Sequence, residues 1–136
     1  MSIKFTVSDF LPASPRAVYD AWLDSRAHSA MTGAKATAST KVGGQVSSWN
    51  GYASGVNLEL VPGKRIVQSW RTTDFKAGDP DSRLSIFLRP AKGGTRIVLI
   101  HSRIARDDGY KDGWREFYFE PMKKYFAGRK VSSKRA

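Results

Sequence analysis

Along residues 3–10, IKFTVSDF, apolar Ile3, Phe5 and Val7 alternate with polar Lys4, Thr6 and Ser8, the two-residue period of a strand with one face buried. The period then changes. Ala17, Val18, Ala21 and Trp22 recur at helical spacing behind Ser14 and Pro15, which suit a helix cap and first turn, so a short amphipathic helix is predicted over 15–24. Residues 25–33 predict a further turn ending near Gly33.

From residue 36 to 104 the chain breaks into short runs such as GVNLELV, RIVQSW and TRIVLIH, separated by NG, PG, AGDPD and KGG. These separators hold the residues that chain reversals need. An antiparallel meander of five or six strands is expected, with Gly43 and Gly44 at a bend or bulge. Gly55 leaves room for a close approach, for which the C-terminal helix is the candidate.

Helical spacing returns in DGWREFYFEPMKKYF at 112–126, with Asp107 or Asp108 suited to cap this final helix and Gly128 to end it. Trp114, Phe117, Tyr118, Met122 and Tyr125 should press onto the sheet, leaving Arg115, Glu116, Lys123 and Lys124 in water. Pro121 lacks the N–H that would reach the carbonyl of Phe117, so a bend without a break is expected there. The fold class is α+β. Only the last helix is long enough to cover the apolar face of such a sheet.

Composition narrows the chemistry. The chain of 136 residues fits one domain, and it has no cysteine, which removes disulfides, thiolate metal sites and cysteine nucleophiles. MSIKFTVSDFLPASP lacks the apolar run of a signal peptide, and no stretch nears the ~20 apolar residues of a membrane span, so a cytoplasmic protein is expected. The net charge of +11 favours anionic partners. Part of it is local, because the last fifteen residues hold Lys123, Lys124, Arg129, Lys130, Lys134 and Arg135 with no acid.

Five segments together carry a resemblance: PASPRAVYDAWL from Pro12, VGGQV from Val42, GVNLELVPGKRIVQSWR from Gly55, GTRIVLIH from Gly94 and GWREFYFEPMKKYF from Gly113. In this order they resemble the family of the C-terminal domain of the heat-shock protein 90 ATPase activator, in the START-like (SRPBCC), helix-grip superfamily. The resemblance implies a curved sheet of six or seven strands gripping the last helix, with short helices after the first strand. Residues 1–128 would form this domain and 129–136 a basic, flexible tail. It also implies a binding role, through a hydrophobic small molecule or a protein partner such as a chaperone. The eukaryotic activator has a separate N-terminal domain for which 136 residues leave no room, so the resemblance does not by itself imply full activator function.

Many relatives have a cavity between sheet and helix. Its implied lining here is Trp22 and Met31 from the short helices, with Trp114, Tyr118 and Met122 from the long one. The strands would add Val56, Leu58, Trp70, Leu84, Ile86, Leu88, Ile97, Leu99 and His101. Such sites are usually apolar with a few polar groups, but bulky aromatics at these positions could equally fill the space.

Candidate catalytic groups are sparse. His101 shares strand parity with Ile97 and Leu99, which would turn its ring inward. A hydrogen-bonded core histidine is favoured over a catalytic one. His28 is expected at the surface. Asp107, Asp108 and Asp112 suit a helix start better than a metal loop, and no cofactor or metal is expected. A non-enzymatic domain is therefore preferred. One alternative is a cyclase-like or hydrolase-like enzyme using His101 with Tyr52, Tyr118 or a carboxylate. The other is a polyanion-binding module built on strand arginines such as Arg65, Arg83, Arg89 and Arg96. Nucleic-acid binding beyond nonspecific attraction is not expected, since cations on sheets also block edge-to-edge aggregation.

Overall fold

The computed structural model describes residues 2–106 and 109–135, with the backbone alone for 129–135. The order is β1 (Ile3–Leu11), α1 (Pro15–Trp22), α2 (Ser25–Thr32), β2 (Gln45–Ser48), β3 (Ala53–Val61), β4 (Arg65–Thr72), β5 (Ser82–Ala91) and β6 (Gly94–Ile104). Then come α3 (Tyr110–Trp114), a π-helical turn (Arg115–Phe119) and α4 (Glu120–Arg135). Among the described residues six strands form one antiparallel sheet, ordered β1-β6-β5-β4-β3-β2, and the C-terminal helical stretch packs on its inner face. This is the α+β helix-grip architecture.

Local chemistry sets the short helices. The Ser14 hydroxyl accepts the N–H of Ala17 at 3.1 Å, with Pro15 opening α1. Asp24 caps α2 through the N–H of Ala27 at 2.8 Å, and Gly33 ends it at a φ of 81°. Both helices bury one face, with Val18, Trp22, His28 and Met31 turned into the core.

Alternation along the central strands is regular. Ser82, Leu84, Ile86 and Leu88 of β5 face inward, as do Thr95, Ile97, Leu99 and His101 of β6. With Val7 and Leu11 of β1 they meet Phe119, Met122 and Phe126 of the helix in a closed core. Ile86, Ile97, Leu99, Phe119 and Met122 are wholly inaccessible to water.

β3 departs from the expected face. Asn57 is buried, whereas Leu58 is 42 % exposed and Val56 only half-buried. Val56 and Leu58 therefore do not line a cavity. The strand register shifts between Asn57 and Glu59, and the hydrogen bonds that Asn57 makes to Gln68 and to the backbone of Ser39 and Lys41 outweigh burial of its two apolar neighbours. Gly55 is crowded by β4, not by the helix: a Cβ there would lie 1.9 Å from the carbonyl oxygen of Ser69.

The last helix also differs. Asp107 and Asp108, expected as its cap, lie outside the described residues; Gly109, at a φ of 80°, precedes its first residue. The backbone stays helical through Pro121 and past Gly128 to Arg135. The irregularity lies upstream of the proline, where the N–H of Glu120 reaches back five residues to the carbonyl of Arg115. A π turn adds one residue, and so rotates every later side chain by about 100° relative to an unbroken α-helix. The core stripe accordingly becomes Trp114, Tyr118, Phe119, Met122 and Phe126, while Phe117 is 50 % exposed and Tyr125 only half-buried.

Candidate functional site: an aromatic cleft at the π turn

Both histidines are buried, and the hydrogen-bond partners around each fix its tautomer. His28, expected at the surface, places Nδ1 2.8 Å from the carbonyl of Trp22, so Nδ1 carries the proton. Its Nε2 then accepts from the Tyr118 hydroxyl at 3.0 Å. The indole of Trp114 donates to His101 Nδ1 at 3.2 Å, which puts the proton of His101 on Nε2. That proton points at Ser82 Oγ, 2.7 Å away, and the serine hydroxyl donates onward to the Trp70 carbonyl at 3.0 Å.

This relay runs opposite to nucleophile activation. A general base must accept the serine proton, but His101 donates to Ser82. Burial lowers both imidazole pKa values, that of His101 to about 3, so both rings stay neutral at ordinary pH. Phe5, Trp70, Tyr110 and Trp114 surround the His101 ring with centroids between 4.7 and 6.0 Å. Tyr118, considered as a partner of His101, bonds to His28, and Tyr52 donates to Asp74 at 2.7 Å.

A polar chain occupies the inner face beside them. The indole of Trp22 donates to Gln68 Oε1 at 3.4 Å, and Gln68 Nε2 donates to Asn57 Oδ1 at 2.8 Å. Asn57 Nδ2 then donates to the carbonyls of Ser39 and Lys41. Its backbone pairs with Gly43 and Gly44, where a Cβ on Gly44 would meet Ser39 Oγ at 2.0 Å. The two glycines thus let the 39–44 loop close over Asn57.

Above this layer the helix and sheet do not meet completely. A cleft of about 360 Å³ opens between the β2–β3 turn, β4 and the π turn. Trp70, Trp114 and Tyr118 border it from the core side, Tyr52 and Tyr110 along one side, and Trp49 and Phe117 at the mouth. Ser48 adds a hydroxyl, and Gly109 and Gly113 leave the helical side without bulk. Burial raises the phenol pKa of both Tyr52 and Tyr118 to about 12, so these groups remain neutral donors.

The mouth is conformationally strained. Trp49 and Asn50 have φ of 55° and 59° and precede Gly51 at 91°. A bulky residue in this region costs on the order of 1–3 kcal/mol. Asn50 holds the turn by exchanging two hydrogen bonds with the backbone of Lys35, at 3.0 and 3.1 Å. The Trp49 ring is thereby set edge-on to Phe117, with centroids 5.8 Å apart.

Of the expected lining, Trp70, Trp114 and Tyr118 border this cleft. Trp22 and Leu84 flank an adjoining space of only about 20 Å³. Met31, Ile86, Leu88, Ile97, Leu99 and Met122 are packed in the closed core, and His101 lies sealed behind Trp114. Trp49, Tyr110 and Phe117 were not among the expected lining residues. The NG pair after Trp49 signals a turn, but nothing in it reports that Trp49 itself is left-handed.

A wider, open groove of about 940 Å³ lies at the other end, between α1, α2 and the β5–β6 turn. Among its polar groups, Ser14 and Asp24 are already engaged as helix caps. No group of three histidines or carboxylates among the described residues could hold a metal ion. No helix among them is long and apolar enough to cross a membrane.

Comparison with known proteins fits this architecture. The chain is 28 % identical over 116 residues to the activator of 90 kDa heat shock protein ATPase homolog of Dictyostelium discoideum, covering 84 % of this chain and 30 % of that protein. It is 27 % identical over 125 residues to the human homolog 1, covering 90 % and 37 %. The chain thus spans about a third of the length of these curated relatives. Among solved structures, an HSP90 activator from Plasmodium falciparum has the same fold, with a TM-score of 0.76 at 23 % identity over 90 % of this chain and 94 % of that one. The family model described as Activator of Hsp90 ATPase homolog 1-like protein matches residues 12–127, and the chain belongs to that family.

Proposed function

We propose that this chain is a non-enzymatic binding domain whose cleft at the π turn takes an apolar, ring-bearing group. The observation that carries this reading is the cleft itself, about 360 Å³ lined mainly by aromatic rings and neutral hydroxyls. Aromatic side chains offer large contact area and fixed ring geometries; the Tyr52 and Tyr118 hydroxyls already donate to Asp74 and His28, so it is the rings and not the phenol protons that would hold a ligand. The buried His101–Ser82 relay argues against a cyclase-like or hydrolase-like role, because its serine proton is committed to a backbone carbonyl.

The test is binding of 1-anilinonaphthalene-8-sulfonate, followed by fluorescence and thermal shift. W49A and F117A should each weaken binding about tenfold with little change in unliganded melting temperature. Probe at about 100 times its Kd should stabilise the native protein by about 2.7 kcal/mol. Equal binding by wild type and both variants would refute the cleft as the site.

A second reading concerns a protein partner. The curated relatives are named as activators of the 90 kDa heat shock protein ATPase, which supports a chaperone as the partner of this chain as well. The measurement is chaperone ATPase rate with added protein; an unchanged rate at saturating concentration would exclude activation by this chain alone.

A further inference from the structure

The outer face of the sheet carries an arrangement that the cleft does not use. Phe87 of β5 stands directly opposite Val98 of β6 and beside Arg65 of β4, and Ile100 and Ser85 form the next pair, with the buried Val67 beside them. Phe87, Val98 and Ile100 are half-buried, so a contiguous apolar patch lies between strands with no helix over it. At one end of the patch Arg89 and Arg96 face each other across the ladder, both exposed; Arg83 lies at the other end.

Edge protection does not account for these arginines. Strand cations commonly block sheet extension, but β5 and β6 are interior strands and the sheet edges are β1 and β2. Like charges directly opposite one another are destabilising. Arg83, Arg89 and Arg96 form no ion pair with a carboxylate of the described residues. The nearby acids Glu59 and Asp81 are already held, by Arg65 at 2.8 Å and Arg71 at 3.0 Å.

We infer that this face docks a protein partner that presents carboxylates around a small apolar contact. An apolar centre rimmed by arginine has the anatomy of a protein interface, and carboxylates are the complementary charge for paired guanidinium groups. A protein fits better than a single-stranded nucleic acid, which needs a series of aromatic platforms; of the patch residues only Phe87 has a ring, and Val98 and Ile100 offer none on which a further base could stack. The surface lies opposite the cleft side of the sheet, so its failure and that of the cleft are separable.

The experiment uses the full chain and a 15-residue peptide in which glutamates flank a leucine pair, with a variant carrying serines for leucines and a 15-mer oligouridylate as controls. Amide chemical-shift mapping should place the peptide on β5 and β6. R89E/R96E should weaken it at least tenfold without lowering the melting temperature, and the milder R89Q/R96Q should lose several-fold. V98S should weaken the leucine peptide more than the serine one. Shifts confined elsewhere, affinity unchanged in both double variants, or tighter arginine-dependent binding of oligouridylate that ignores V98S would each overturn the proposal.

Discussion

Under one helix the sheet has two unlike halves. Beneath α4 and the last residue of the π turn, the strands β1, β6 and β5 offer aliphatic side chains that fill the space, and Phe119 and Met122 have no exposed surface. Beneath the π turn, β2, β3 and β4 meet the helix through rings and polar groups that leave a cleft of about 360 Å³. Branched aliphatics interdigitate to crystal-like density. Tryptophan and tyrosine are larger and must also place their N–H and O–H groups on partners. The indoles of Trp22 and Trp114 and the phenol of Tyr118 each bond to Gln68 or a histidine. Packing is thus traded for hydrogen bonding in the half that opens.

The largest test of this contrast sets two phenylalanines two positions apart against each other. F119A should cost about 3–5 kcal/mol in urea unfolding, as expected for an inaccessible core ring. F117A, at an exposed ring, should cost under about 1 kcal/mol while weakening probe binding in the cleft. Similar losses of stability would erase the distinction between halves.

Acid tests the hydrogen-bonded rings next. His101 has a folded pKa of about 3, below the ordinary value of 6.5, so the unfolded chain takes up a proton first as pH falls. Its contribution is complete above pH 6.5 and is lost from there down to about pH 3, at about 1.4 kcal/mol per unit. Burial lowers His28 too, so its effect has the same sign. Stability at pH 4.5 should therefore fall about 2–3 kcal/mol below its value at pH 7 through His101 alone. H101N should show a slope shallower by about one proton between pH 6 and 4; an unchanged slope would contradict the buried neutral ring.

Smaller effects probe β3. N57A removes the side-chain partner of Gln68 and of the Ser39 and Lys41 carbonyls, of which Lys41 keeps the N–H of Gly44, and should cost about 1–3 kcal/mol. L58T, at an exposed neighbour, should stay within about 0.5 kcal/mol. A reversed order would mean that the strand face had been inverted.

Much of the frame was legible in the residues. Ser14-Pro15 marks the start of the first short helix and Gly33 the end of the second, and the period-two runs of β5 and β6 give their buried faces directly. Asp24, by contrast, is expected at the end of the first helix but caps a second one of eight residues, where the sequence predicts only a turn. The cleft was less legible. Its place depends on which turn of the last helix widens and on a left-handed Trp49, and neither has a hydrophobic period that announces it. The burial of His28 was hidden for a related reason: a short helix with one weak apolar stripe does not reveal that Tyr118, ninety residues later, supplies a partner for its ring.

The sequence by itself determined the order of elements, the antiparallel meander and the helix that covers it, because capping, turn chemistry and periodicity act within a few residues. Only the tertiary structure decided that Asn57 faces inward instead of Leu58, that Phe119 replaces Phe117 in the core, and that both histidines are neutral hydrogen-bonding groups. Those outcomes depend on partners distant along the chain, and on one extra residue in a helical turn that rotates every side chain after it.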